Sequence, residues 1–211
     1  RGQKRKAMSI FSSEHQIAEY LLVLEPHEAL KQTIQSVKQH FADKYDCPTA
    51  AYSKPHITLL KCMQFSMTET RWIPKLQRIV EGTTAFMVEL ENFGSFPTHT
   101  IYIQVKTKNQ IVELVKSLKE IQSLVKLDKE HKPHFITEPH FTIARKLQHW
   151  QFEQGWNEYG NSEFSGRFIA DHVLLMRKRL EEKKYEVIGR FKMLGMKQTV
   201  EQMQLFNSSS K

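Results

Sequence analysis

Two short segments of this chain share one order of residue types. Lys54-Pro-His-Ile-Thr-Leu-Leu-Lys61 recurs as Glu138-Pro-His-Phe-Thr-Ile-Ala-Arg145. Each reads proline, histidine, apolar, threonine, apolar, with a basic residue five places after the histidine. A histidine beside a hydroxyl, present twice, suits chemistry at phosphorus. An unperturbed imidazole pKa of about 6.5 lets one histidine take a proton from an attacking oxygen while a second gives one to the oxygen that leaves. Threonine hydroxyls can donate hydrogen bonds to non-bridging oxygens. A nearby cation stabilises the charge that builds there. The candidate set is therefore His56 and His140 for proton transfer, with Thr58, Thr142, Arg145 and Lys61 for phosphate binding.

These side chains must converge, and strands are the elements that would do it. The residue before a proline is kept out of the helical region, so Lys54-Pro55 and Glu138-Pro139 lead into extended backbone. In a strand, residues i and i+2 share a face. His56 and Thr58 then project together, as do His140 and Thr142, while Ile57, Leu59, Phe141 and Ile143 pack the other way. Arg145 is five places from His140, so simple alternation puts it on the opposite face. Reaching the phosphate requires a bulge, a twist or a curling side chain. The repeat implies two copies of one lobe, facing each other across a cleft.

The rest of the chain supplies supporting elements. Strands are expected at 17–24, 56–65, 86–93, 100–106 and 140–146, with a closing pair at 168–177 and 185–194 joined by the charged turn 179–184. Helices are expected at 27–45, 69–80, 109–125 and 150–159. In the first, Leu30, Ile34, Val37 and Phe41 fall at helical spacing; in the third, Asn109 is the expected N-cap before Ile111, Leu114, Leu118 and Ile121. With no long Pro/Gly/Ser-rich linker, and with the final strands as a hairpin, the pattern is α+β with antiparallel pairing. A single bilobal domain is expected over 13–196, between a disordered basic tail at 1–12 and a C-terminal tail at 197–211.

The composition of the 211 residues fits a globular protein, at 40% hydrophobic and 26% charged. The net charge of +8 suits an anionic partner. No apolar run is long enough to span a bilayer. Two cysteines, Cys47 and Cys62, make neither a disulfide framework nor a thiolate metal spacing, which favours reduced thiols in a cytoplasmic protein; a monomer is expected. No metal and no cofactor are expected. Phe96 and Tyr52 are candidates for stacking a base beside the phosphate. Lys54, Arg177 and Lys178 are candidates for a basic rim. His134 sits in a segment that mimics the motif but has Ile136 where the threonine would be.

The two His-x-Thr segments resemble the signature of the two-histidine phosphoesterase superfamily, and within it the bacterial 2'-5' RNA ligase-like proteins. Phe93-Gly-Ser-Phe96 before the strand at Ile101 is similar to that family's central strand pair, and 168–175 with 185–191 to its C-terminal strands. The resemblance covers roughly residues 17–194. It implies a bilobal fold with a pseudo-twofold axis, antiparallel sheets lining a cleft and helices outside, and a role for Arg145 in holding phosphate. It also implies metal-independent hydrolysis of 2',3'-cyclic or 2'-5'-linked phosphates of RNA or nucleotides. The alternatives are ATP-independent joining of RNA ends through a 2'-5' linkage, and an RNA- or nucleotide-binding module without catalysis. If the histidines are the acid–base pair, His56→Ala and His140→Ala should each lower turnover roughly 100- to 10,000-fold. Near wild-type turnover in either variant, measured on a cyclic nucleotide, contradicts the assignment.

Overall fold

The structure, a computed structural model, describes residues 16–196. The segment 1–12 and the tail 197–211 lie outside the described residues. The described residues form nine strands: β1 Ile17–Leu24, β2 Ile57–Phe65, β3 Phe86–Phe96, β4 Thr100–Val105, β5 His134–Phe135, β6 His140–Arg145, β7 Ser165–Ala170, β8 His172–Arg179 and β9 Glu186–Lys192. Its α-helices are α1 Glu28–Lys44, α2 Thr49–Tyr52, α3 Glu69–Glu81, α4 Lys108–Leu118 and α5 His149–Tyr159.

Alternation along the strands decides what faces what. Ala18, Tyr20, Leu22 and Leu24 of β1 enter the main core with Leu30, Ile34 and Phe41 of α1, Trp72, Leu76 and Val80 of α3, Ile111 and Leu114 of α4, and Phe152 of α5. Leu21 and Val23 point the other way and join Leu174 in a second, smaller cluster. The helices therefore cover one face of the sheet, and the other face carries the motif side chains.

All strand pairs are antiparallel, in the order β7-β3-β4-β6-β2-β1-β8-β9, with β5 paired to β2. The order reads as two four-stranded halves, one outward from each motif strand. The halves meet edge to edge where Ile57 pairs with Phe141, so the duplication closes into one continuous sheet. A backbone bond from Ile136 N–H to the Leu59 carbonyl (2.9 Å) and the β5 pairs Leu60–Phe135 and Lys61–His134 extend the joint.

Three sequence expectations shift. The strand expected at 168–177 is two strands. Ala170 ends β7, paired to β3, and His172 begins β8, paired to β1, so the chain crosses at Asp171 from one half of the sheet to the other. The helix expected at 109–125 is α at Lys108–Leu118 and 3₁₀ at Lys119–Ile121. Asn109 lies within its first turn, and the N-cap position belongs to Thr107, whose hydroxyl accepts from the Glu89 backbone N–H instead (2.9 Å). Cys47 and Cys62 are free and buried. Because Phe141 is fully buried at the joint, Phe141→Ala should destabilise the fold by about 3–5 kcal/mol. Urea unfolding checks this, and an unchanged midpoint would show that the joint is dispensable.

Candidate functional site

The joint brings the two motifs together. With Ile57 opposite Phe141 in antiparallel register, His56 comes opposite Thr142 and Thr58 opposite His140. Opposite residues share a face, with Cβ atoms about 4.5–5.5 Å apart in regular pairing. Both histidines and both threonines thus lie on the face away from the helices, each half-buried.

A β-bulge in each motif strand adds the basic residues. Leu22 pairs with Leu60 but Val23 pairs with Thr58, leaving Leu59 as the extra residue of β2. Ile101 pairs with Ala144 but Tyr102 with Thr142, leaving Ile143 as the extra residue of β6. A bulge resets alternation. Two neighbours then point into the core, Leu59 with Leu60 and Ile143 with Ala144, all at most 1% exposed. Lys61 and Arg145 consequently return to the histidine face, opposite Leu21 and Thr100. Arg145 has no carboxylate partner among the described residues. Lys61 is tied to Glu19 at 2.8 Å, and Lys178 approaches the same carboxylate at 3.4 Å. His134, opposite Lys61 across β5, also shares this face, although it lacks the threonine.

Each histidine ring turns back on the carbonyl two residues earlier. His56 Nδ1 lies 2.8 Å from the Lys54 oxygen, and His140 Nδ1 lies 2.8 Å from the Glu138 oxygen. A carbonyl only accepts, so both Nδ1 atoms carry hydrogen and donate. Nε2 is left as the nitrogen that can exchange a proton in each ring. The intervening prolines hold the preceding residue extended in both copies.

The surroundings of the two rings differ. His140 packs between Phe96, with centroids 5.2 Å apart and near-perpendicular planes, and Tyr102 at 5.0 Å. Phe96 and Tyr102 touch each other at 4.6 Å. Gly94 permits this arrangement, since a Cβ there would sit 2.5 Å from Tyr102 Cε2. The rings, with Gln104, Lys108 and Glu138, line a small pocket against His140. His56 has charged neighbours. Its pKa falls below the ordinary histidine value chiefly through burial, with Lys38 and Arg145 adding to the effect, against the Lys54 carbonyl and Glu25. His140 is also lowered, by burial alone, against the Glu138 carbonyl and carboxylate.

Lys38 was not legible as a site residue. It is 2% exposed on α1 at i+4 from Ile34. Its Nζ donates to Ser53 Oγ at 2.8 Å, three residues before His56. Burial, then Arg145, push its pKa down to about 8. The one signal was a lysine within an apolar helical stripe. Tyr102 was missed as well, although it lies opposite Thr142. Phe96 stands where a stacking residue was expected, whereas Tyr52 on α2 is 77% exposed. Lys54 is exposed. Of the other rim candidates, Lys178 lies over the Tyr185 ring at 5.0 Å. Arg177 is held by Glu69 and Glu186 at 2.8 and 2.6 Å and is not free for a ligand.

The sequence profile of the 2'-5' RNA ligase superfamily matches residues 25–182. The chain belongs to this superfamily. A Staphylococcus aureus (strain Newman) protein named "Putative phosphoesterase" is 24% identical over 175 residues, 82% of this chain and 97% of that protein. Among solved structures, TT0787 of Thermus thermophilus aligns with a TM-score of 0.59 at 17% identity, covering 85% of this chain and all of that one. Escherichia coli LigT complexed with 3'-AMP aligns with a TM-score of 0.54 at 14% identity, covering 84% of this chain and 98% of that one. Both share the fold with this member of the superfamily. Among the described residues, no helix is long and apolar enough to cross a membrane.

In this member the seat of Tyr102 on Gly94 governs the environment of His140. Gly94→Ala should force the Tyr102 ring away and shift the His140 Cε1 proton resonance, which lies in the ring currents of Phe96 and Tyr102. An unchanged resonance in a folded Gly94→Ala protein contradicts this packing.

Proposed function

We propose that the protein is a phosphodiesterase that hydrolyses 2',3'-cyclic or 2'-5'-linked phosphates of RNA or nucleotides, using His56 and His140 as its acid–base pair. The observation that carries this is the pairing of two His-x-Thr strands with both Nε2 atoms left free by the Nδ1–carbonyl bonds. The superfamily name and the 3'-AMP complex of LigT favour a nucleotide-type ligand.

In the reaction, a neutral imidazole takes a proton from water through Nε2 as the water oxygen bonds to phosphorus. The bond from phosphorus to one ribose oxygen breaks, and the second imidazole, protonated, gives its Nε2 proton to that oxygen. The proton taken and the proton given balance, and the histidines exchange charge states. Thr58 and Thr142 donate to the non-bridging oxygens, and Arg145 stabilises their added charge, while Lys61, at the other end of the strand pair, is held by Glu19. Phe96 and Tyr102 wall the His140 side, where a base or ribose would rest.

The test is incubation of the protein with a 2',3'-cyclic nucleotide in the presence of EDTA. Product carrying a single 2'- or 3'-phosphate supports the reading. Binding without turnover points to a binding module, and turnover only in the joining direction, with RNA ends, points to a ligase. The pH dependence follows from the site. Rate rises as the base loses its proton and falls as the acid loses its own. Both imidazoles are lowered by burial, so the optimum of kcat/KM should lie on the acidic side of the ordinary histidine pKa. An optimum well on the alkaline side contradicts acid–base action by this pair.

A further inference from the structure

The histidine face does not end at the motif strands. One row of cross-strand partners runs from Thr58 of β2 to Val23 of β1, Leu174 of β8 and Arg190 of β9. Cross-strand partners share a face, and Val23 and Leu174 belong to the small cluster on the side away from the helices. Arg190 is therefore on the histidine face. So is Lys192, two residues further along β9 and opposite His172. Phe191, between them, turns into the main core with Val173. The row crosses three strand gaps, about 14 Å at the usual strand spacing.

Arg190 is held in place without being neutralised directly. Its Nη1 donates to His172 Nε2 at 2.6 Å, and His172 Nδ1 donates to Asp171 at 2.5 Å. Arginine has only donors, so that ring nitrogen accepts, and the imidazole stands between guanidinium and carboxylate. Neither Arg190 nor Lys192 pairs with a carboxylate among the described residues, and both are exposed. The carboxylates at the two ends of β1 have lysines of their own: Glu25 pairs with Lys31, and Glu19 with Lys61 and Lys178. Phe96 and Tyr102 stand on the other flank of the histidine pair, on β3 and β4 beyond β6. The two histidines thus have aromatic surface on one side and unpaired cations on the other. A mononucleotide resting on the aromatic side leaves the cations unused. A polynucleotide backbone brings one negative charge per nucleotide, and arginine and lysine side chains along its path bind it.

We propose that Arg190 and Lys192 form a backbone-binding subsite for a single polynucleotide strand, which runs from the phosphate at His56 and His140 across β1 and β8 to β9. The substrate of this site is then a strand of several nucleotides, and a mononucleotide occupies only part of it. The proposal rests on the reading of the two histidines as a phosphate site.

Binding of a fluorescein-labelled single-stranded oligoribonucleotide, followed by fluorescence anisotropy at several salt concentrations, tests it without turnover. Arg190→Gln/Lys192→Gln should weaken binding about tenfold. It should also flatten the slope of log affinity against log salt by about 0.7 for each cation removed. Arg78→Gln/Lys119→Gln removes two exposed cations from the helix side and should change neither quantity. In turnover, the first double variant should lose about tenfold in kcat/KM on an oligonucleotide ending in a 2',3'-cyclic phosphate. It should keep its rate on 2',3'-cyclic AMP, which does not reach β9. Three results overturn the proposal: no binding of the oligonucleotide by the wild type, equal losses in the two double variants, or equal losses on the mononucleotide and the oligonucleotide. If the double variant does not fold, Lys192→Gln alone decides, through its own share of the affinity and of the salt slope. Absence of turnover on both substrates would count against the proposed function, and the anisotropy would still decide the subsite.

Discussion

The site depends on one cross-strand pair. Ile57 opposite Phe141 joins the two halves of the sheet, and its antiparallel register sets which motif side chains meet. A slip of one residue would carry every side chain of one strand to the helix-covered face. The histidine of one half would then lose the threonine of the other. The joint is protected by burial, since both residues are fully enclosed, and by the β5 pairs that continue along β2. The geometry of the histidine–threonine site thus follows from packing two apolar side chains at a seam.

Around that seam the repeat is followed in backbone detail. Both motif strands bulge two residues after their buried seam residue, at Leu59 and at Ile143. Both histidines donate from Nδ1 to the carbonyl two residues back. These shared features fix the orientation of the rings and bring a cation onto the histidine face. The differences lie in the next layer: a lysine and an arginine beside His56, two aromatic rings beside His140.

Much of this was legible in the sequence for local reasons. The proline, the alternation and the repeated threonine specify two strands with a histidine and a hydroxyl on one face. The antiparallel α+β class follows from the order of elements. The bulges were partly legible. Leu59-Leu60 and Ile143-Ala144 are adjacent small or aliphatic residues that break alternation just before the basic residue. Only pairing to β1 and β4 shows that they reset the face and bring Arg145 round. The crossover at Asp171 was not legible, because two strands in different halves of the sheet, one residue apart, read as a single apolar run. Lys38 was hidden for the opposite reason. A lysine is taken for solvated surface, and its burial depends on how α1 lies against the loop before β2. Tyr102 was hidden because its partnership with Gly94 and His140 is made across three strands.

The central claim is that both histidines act on one phosphorus through Nε2. A crystal structure with a bound, non-hydrolysable nucleoside cyclic phosphate analogue tests it most directly. The account predicts the phosphorus between the rings, with each Nε2 within about 3 Å of a phosphate oxygen and the Thr58 and Thr142 hydroxyls on the non-bridging oxygens. A phosphate bound away from the seam, or touched by only one of the two histidines, would contradict it.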